Sequence, residues 1–267
     1  MCFIVLVDKP SNLTSRQVCD IVKNKLHANK VGHSGTLDIN ATGLLLIAID
    51  EATKIMPLFE RMDKVYEGIM HLHKDVDDER LEKCIKNFVG RIIQKPPVKS
   101  RVKRVERERN VYFFDIIERF GRDVKFLTKV EAGTYIRKLV HDIGMEIGGA
   151  HLKFLRRLQI GYFSINEAVK IENLSKTHLI RIEDALVNCK KIFIREEFKN
   201  KVLNGCFIRY DWVEKTEGEL NKNDKVAIFV GEKILGIGIV LLNKKFFVKP
   251  DRLLNCMYLS SQTSQDL

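Results

Sequence analysis

The chain has 267 residues, 45% of them apolar and 30% charged, with a formal net charge of +11. That is material for one or two globular domains with a sizeable core, and no apolar run approaches the roughly 20 residues needed to cross a bilayer. The basic excess favours a polyanionic partner, nucleic acid ahead of a membrane surface.

Phe3 to Val7 is an apolar, β-like run closed by Pro10. No basic region precedes it, so it reads as a strand and not as a signal peptide. Thr14 or Ser15 can cap a helix to about Leu26, with Val18, Ile21, Val22 and Leu26 on one face. A glycine loop follows, Gly32-His33-Ser34-Gly35-Thr36-Leu37-Asp38, then Ala41-Thr42-Gly43 and a buried-strand pattern over Leu44 to Ile49. The loop fits neither GxxxxGK[ST] nor GxGxxG, so it is not a nucleotide-phosphate cradle. What it offers is one aimed carboxylate, Asp38. On the local pattern alone it reads as an Asx-type turn between two strands.

A short helix is expected over about Ala52 to Arg61, a strand over Val65 to Leu72, and a helix from Asp78 that Gly90 ends, with Leu81, Cys84, Ile85 and Phe88 at helical spacing. Lys95 to Arg109 carries seven Lys or Arg against two Glu. Its Pro96-Pro97 disfavours helix, so it reads as a solvated loop or as an arm meeting phosphates through Lys95, Lys99, Arg101, Lys103 and Arg104. Val111 to Glu118 and Val124 to Val130 flank a hairpin turn at Phe120-Gly-Arg-Asp123. Tyr135 to Ile147 is helical, with Ile136, Leu139, Val140, Ile143 and Ile147 inward. Phe154 to Phe163 is partly strand-like.

Near residue 190 the pattern changes. Ile192 to Ile194, Val202 to Ile208, Val226 to Val230 and Ile234 to Leu242 are short β-like runs, separated by turns at Asn204-Gly205, Gly218 and Gly231, which suggests a small barrel. The last residues are polar. The six cysteines form no CxxC pair, which argues against zinc and for reduced thiols in an intracellular setting. His71-Leu-His73 puts two imidazoles on one strand face without a third ligand at metal spacing, so they read as facing a nucleic acid or as structural.

Val31 to Asp38 with Ala41-Thr-Gly-Leu-Leu45 closely resembles the catalytic motif of the TruB/dyskerin family of RNA pseudouridine synthases. Asp8-Lys9-Pro10, Lys64-Val65-Tyr66, Gly133-Thr-Tyr-Ile-Arg137 with Asp142-Ile-Gly144, and Gly149-Ala-His151 with Leu155-Arg-Arg157 resemble its other elements, in family order across about the first 165 residues. Ile39 stands where the family usually has Pro.

The resemblance implies an α+β fold: a mixed, mainly antiparallel sheet with flanking helices over 1–188, a small PUA-like β-barrel over 189–257 and a polar tail over 258–267. It implies that Asp38 is the catalytic carboxylate, as nucleophile or as base, and that Arg137 pairs with it. Tyr66 stacks on the base, Leu155 lines the pocket, Lys9 supports the site or meets the backbone, and His33 lies near the flipped nucleotide. Asn204 and Gly205 belong to the PUA-like RNA surface. No cofactor or metal is implied.

Met70-His-Leu-His-Lys-Asp75, Gln94-Lys-Pro-Pro97 and Ser100-Arg-Val-Lys-Arg104 look like the archaeal and eukaryal dyskerin branch. This implies an H/ACA guide RNA, an rRNA or tRNA substrate, small accessory proteins, no membrane, and a cytoplasmic site (nucleolar in a eukaryote). A stand-alone tRNA synthase and a non-catalytic RNA-binding scaffold are the alternatives.

Overall fold

The computed structural model describes residues 2–95 and 105–254. In chain order its elements are β1 (Cys2–Lys9), α1 (Ser15–Lys25), β2 (Val31–His33), β3 (Thr42–Asp50), α2 (Met56–Glu60), β4 (Lys64–Leu72), α3 (Asp78–Lys86), β5 (Gly90–Gln94), β6 (Arg107–Phe120), β7 (Asp123–Val130), α4 (Ile136–Ile147) and β8 (Ala150–Ile160). The chain continues through three two-residue strands, β9 (Phe163–Ser164), β10 (Val169–Lys170) and β11 (Ile180–Arg181), to α5 (Ile182–Ala185). Last come β12 (Lys191–Ile194), α6 (Lys199–Leu203), β13 (Val213–Glu217), β14 (Lys225–Val230), β15 (Lys233–Val240) and β16 (Val248–Leu253).

Strands β1 to β11 make one large sheet in the order β10-β1-β3-β8-β4-β7-β6-β5, with β11 on β1, β2 on β3 and β9 on β8. Only the β1–β10 and β3–β8 pairs are parallel. The sheet is therefore mixed and mainly antiparallel, as the family resemblance implies. Strand β3 is apolar along its length because both its faces are covered. On one face Leu45, Ile47 and Ile49 meet Val18, Cys19 and Val22 of α1. On the other, Leu44, Leu46 and Ala48 join a core with Phe59 of α2 and Ala227 and Phe229 of β14. Helices α3 and α4 cover β4, β6, β7 and β8. Among the described residues no helix is long and apolar enough to cross a membrane.

Helix α1 starts where its capping box requires. The Thr14 hydroxyl accepts from the Gln17 N–H, and the Gln17 side chain accepts from the Thr14 N–H. The helix expected over Ala52 to Arg61 is split into a 3-10 turn, Glu51–Lys54, and the short α2. Pro57 lacks an N–H and fits only a helix's first turn, so it restarts the helix instead of continuing it. Helix α3 ends at Lys86, before Gly90, which opens β5 with φ +95°.

The C-terminal sheet runs β13-β12-β14-β15-β16. Among the described residues it is open, with β13 and β16 at its edges; one isolated bridge, Ile208 to Val248, extends the pairing. The barrel closure expected from sequence is not seen there. Val202 is not on a strand either. It lies on α6 and is fully buried in a core with Trp212, against which Phe198 stacks at 4.8 Å between ring centroids. Phe198 and Val202 are four apart, a helical spacing that a short apolar run disguises as strand. Asn204-Gly205 then closes the helix C-terminus, Gly205 at φ +83° donating its N–H to the Val202 carbonyl.

Candidate active site

The carboxylate of Asp38 projects from the loop between β2 and β3. Its side chain is 52% exposed, so it is open to solvent and not closed off in a pocket. Its backbone is held from several sides. The Ser15 hydroxyl, at the first turn of α1, donates to the Leu37 carbonyl at 3.2 Å and accepts from the Leu37 N–H at 2.9 Å. Asn12 N–H donates to the Ile39 carbonyl at 2.9 Å. The Lys9 ammonium, fully buried, donates to the carbonyls of Pro10 (2.9 Å), Ile39 (3.1 Å) and Ala41 (2.6 Å). Burial pushes the Lys9 ammonium below the usual lysine range, against the opposing pull of Asp38. Lys9 thus ties β1 to the backbone of the Asp38 loop.

Arg137, in the first turn of α4, closes an ion pair with Asp38 through its Nη2 and the carboxylate Oδ2. The start of α4 is itself clamped. The buried Gln94 side chain accepts from the Tyr135 N–H at 3.0 Å and donates to its carbonyl at 3.3 Å.

Strand register sets a row of residues across the sheet beside the Asp38 loop. Lys9 on β1 pairs with Gly43 on β3, Gly43 with Arg157 on β8, Arg157 with Tyr66 on β4, and Tyr66 with Thr128 on β7. Gly43 has φ +103°, and a Cβ there would lie 2.3 Å from the Arg157 carbonyl oxygen, so only glycine lets β3 and β8 meet. The Arg157 side chain, 1% exposed, donates to Leu44 O at 2.8 Å and to Gly35 O at 3.2 Å, tying the Asp38 loop to β3. Its neighbour Arg156 grips Asp8 bidentately at 2.8 and 3.1 Å.

Tyr66 and Leu155 are buried in one apolar cluster with Leu37 and Ala41, the residues that flank Asp38 in the loop. His33 is half-buried on β2, its Nδ1 accepting from the Gly35 N–H at 3.3 Å. Fold and pairing therefore bring Asp38, Arg137, Tyr66, Leu155, Lys9 and His33 into one region.

Lys95 is exposed just after β5. Lys99, Arg101, Lys103 and Arg104 lie outside the described residues. Asn204 and Gly205 are exposed at the end of α6, in the C-terminal part of the chain and not on the Asp38 loop. His71 and His73 are engaged within the protein, His71 with Asp123 at 2.6 Å and His73 with His151 at 2.9 Å.

In the sequence Lys64, Gln94, Arg156 and Arg157 stand only inside quoted motifs and Ser15 only as a possible helix cap, with no role at the site. Lys64 is 6% exposed and donates to Glu60 O at 2.7 Å and Met62 O at 2.5 Å. A basic residue in a strand whose alternate positions are apolar was the available signal.

Residues 23–136 match the family model described as TruB family pseudouridylate synthase (N terminal domain), and residues 137–189 match that of the tRNA pseudouridylate synthase B C-terminal domain. The probable tRNA pseudouridine synthase B of Methanopyrus kandleri is 38% identical over 93% of this chain and 79% of the relative. That of Nanoarchaeum equitans is 37% identical over 93% of this chain and 76% of the relative. The crystal structure of a Cbf5-Nop10-Gar1 complex contains a chain that superposes with a TM-score of 0.86 at 31% identity, over 94% of this chain and 84% of that one. A structure of an H/ACA RNP bound to a substrate RNA containing 2'-deoxyuridine gives 0.81 at 29% identity, over 95% and 85%. With its motifs gathered around one carboxylate and these likenesses running over nearly its whole length, the chain belongs to the TruB/dyskerin family of RNA pseudouridine synthases, enzymes that isomerise uridine within RNA.

Proposed function

We propose that this synthase works on uridines chosen by a guide RNA, as the catalytic subunit of an H/ACA-type ribonucleoprotein acting on rRNA or tRNA. The observation that carries the reading is the superposition at TM-score 0.86 on a chain from a Cbf5-Nop10-Gar1 complex, which extends over 94% of this chain and so takes in the C-terminal sheet as well as the Asp38 cleft. On this reading residues 1–188 do the chemistry, and residues 189–257 grip the guide near Asn204 and Gly205. Small accessory proteins of the Nop10 and Gar1 kind bind the catalytic part. The basic arm from Lys95 through Lys99, Arg101, Lys103 and Arg104 tracks phosphates.

In the cleft, Asp38 is the catalytic carboxylate and Arg137 its orienting partner. A flipped uridine brings its ring to Tyr66, where stacking is worth about 1–3 kcal/mol per base, with Leu155 closing the apolar side and His33 beside the displaced nucleotide. Asp38 either bonds to C1′ or takes the C2′ proton as the C1′–N1 bond breaks. The ring then turns and rejoins through C5.

The names of the curated relatives favour a second reading, a stand-alone enzyme acting on tRNA. Pseudouridine formation on a matched target RNA, with and without guide and accessory proteins, and on bare tRNA, separates the two. Guide-dependent product, lost in Asp38→Asn, supports the first. Guide-independent product on tRNA supports the second. Product from Asp38→Asn at the wild-type rate would refute Asp38 as the catalytic group, and a complete particle that binds guide without product would leave a scaffold.

A further inference from the structure

Three cations are buried on β1, β8 and β4, the strands around the Asp38 loop and Tyr66. Lys9 is fully buried, Arg157 is 1% exposed and Lys64 is 6% exposed. Register links them, since Lys9 and Arg157 both flank Gly43, Arg157 pairs with Tyr66, and Lys64 lies on Tyr66's face of β4 two residues earlier. Among the described residues none of the three forms a salt bridge; every hydrogen bond each makes runs to a backbone carbonyl. Their charges reach one another, because Arg157 disfavours the charged forms of both lysines. Three interior cations with no paired carboxylate are costly to bury. An interior needing only to hold loop carbonyls could use neutral donors.

We propose that Lys9, Lys64 and Arg157 form a fixed positive platform under the Asp38 cleft that stabilises the uracil ring as an anion between detachment and reattachment. The proposal rests on Asp38 being the catalytic carboxylate. When the C1′–N1 bond breaks, its electron pair goes to the ring, which becomes uracilate. If Asp38 has bonded to C1′ it is a neutral ester; if it has taken the C2′ proton it is a neutral acid. By either route one negative charge leaves Asp38 and reappears on the ring. C5 then bonds to C1′ as the ester bond to Asp38 breaks or as the Asp38 acid returns its proton to C2′; the C5 proton departs, N1 gains a proton, and Asp38 is a carboxylate again. The product has the composition of the substrate. Buried, preoriented charge acts strongly on such a moving charge because nothing must reorganise as it moves.

Lys64 makes the platform testable. Burial, helped by Arg157 and opposed by Asp63 and Glu60, pushes its ammonium down to about 8, so one platform charge is lost as pH rises through that value. The measurement is the single-turnover rate of the full chain, with the guide and accessory proteins if they are required, from pH 6.5 to 9.5. Wild type, Lys64→Arg, Lys64→Met and Asp38→Asn are run on one RNA. The wild-type rate should fall above pH 8, and Lys64→Arg should hold its rate to pH 9.5. Lys64→Met should be about tenfold slower at pH 7, with RNA affinity within about twofold and no alkaline step.

A wild-type rate flat to pH 9.5, an alkaline fall shared by Lys64→Arg, or a Lys64→Met rate equal to wild type at pH 7 would each overturn the platform. If one Lys64 variant fails to fold, the wild-type profile and the other variant decide. Activity in Asp38→Asn is a separate outcome and strikes the reading of Asp38 itself.

Discussion

Gly43 and Arg157 are register partners in the parallel ladder between β3 and β8, and their backbones touch where a side chain would otherwise stand. That contact sets the distance between Lys9 on one side and Tyr66 on the other. Gly43→Ala places a Cβ 2.3 Å from a carbonyl oxygen at φ +103°, and neither strand can shift without breaking the row. The expected cost is about 3 kcal/mol or more of unfolding free energy, read by urea denaturation. Gly35→Ala, whose Cβ would meet only the Arg157 guanidinium at 3.8 Å, carries the backbone strain alone and should cost less. Equal costs would show that the close approach is not what demands glycine.

The Arg137–Asp38 pair separates stability from activity. Both side chains are more than half exposed, at 65% and 52%, and exposed pairs are worth about 0–1 kcal/mol. Arg137→Ala should therefore leave unfolding within about 1 kcal/mol of wild type. Product formation should fall about 100-fold or more, because the carboxylate loses its orientation. A variant that unfolds easily and remains active when folded would make Arg137 a structural residue.

Much of this was readable from residues in order. The periodic runs locate β1, α1, β3, β4 and α4, and the motif spellings single out Asp38, Tyr66 and Arg137. What could not be read was adjacency. Lys9, Gly43, Arg157 and Tyr66 are far apart in sequence and become neighbours only through the order β1-β3-β8-β4. The burial of Lys9 and Lys64 went unread, since lysine is ordinarily placed at the surface, although Lys64's position on the apolar alternation of β4 was a signal for it. Val202 was misread because an apolar run of a few residues has no decisive period. Strands β2 and β5 are short and carry glycine or charge, so their pairing is tertiary in origin.

Two buried serines, one on α1 and one in the Asp38 loop, should behave oppositely. The Ser15 hydroxyl both donates to and accepts from Leu37, one residue before Asp38. Ser15→Ala leaves a buried N–H and carbonyl unmatched, for which about 1–3 kcal/mol of stability is expected to be lost, with a slower reaction as Asp38 loosens. The Ser34 hydroxyl is buried and, among the described residues, is the one side-chain polar atom so enclosed without a hydrogen-bond partner. Ser34→Ala removes that unmet group and should be neutral or stabilising. Thermal melts of the two variants side by side check the pair of expectations; a large loss in Ser34→Ala would mean that its hydroxyl is engaged.

Lys64 also makes stability depend on pH in a direction unusual for a lysine. Its ammonium ionises in the folded protein near pH 8 and at about 10.5 when unfolded. Below pH 8 both states hold the proton, and the folded state bears the full cost of a buried charge. Between 8 and 10.5 the unfolded chain keeps the proton while the folded protein has released it, so stability rises with pH across that window. A displacement of this size corresponds to about 3 kcal/mol. Wild type and Lys64→Met, unfolded by urea at several pH values from 7 to 10, share every other titrating group, so their difference isolates this one. Wild type should gain on Lys64→Met as pH rises from 8, with most of the gain reached by pH 10. A difference that stays constant, or one that turns against wild type, would mean that solvent or an unseen anion already compensates the Lys64 charge, and the buried platform would lose the member that titrates.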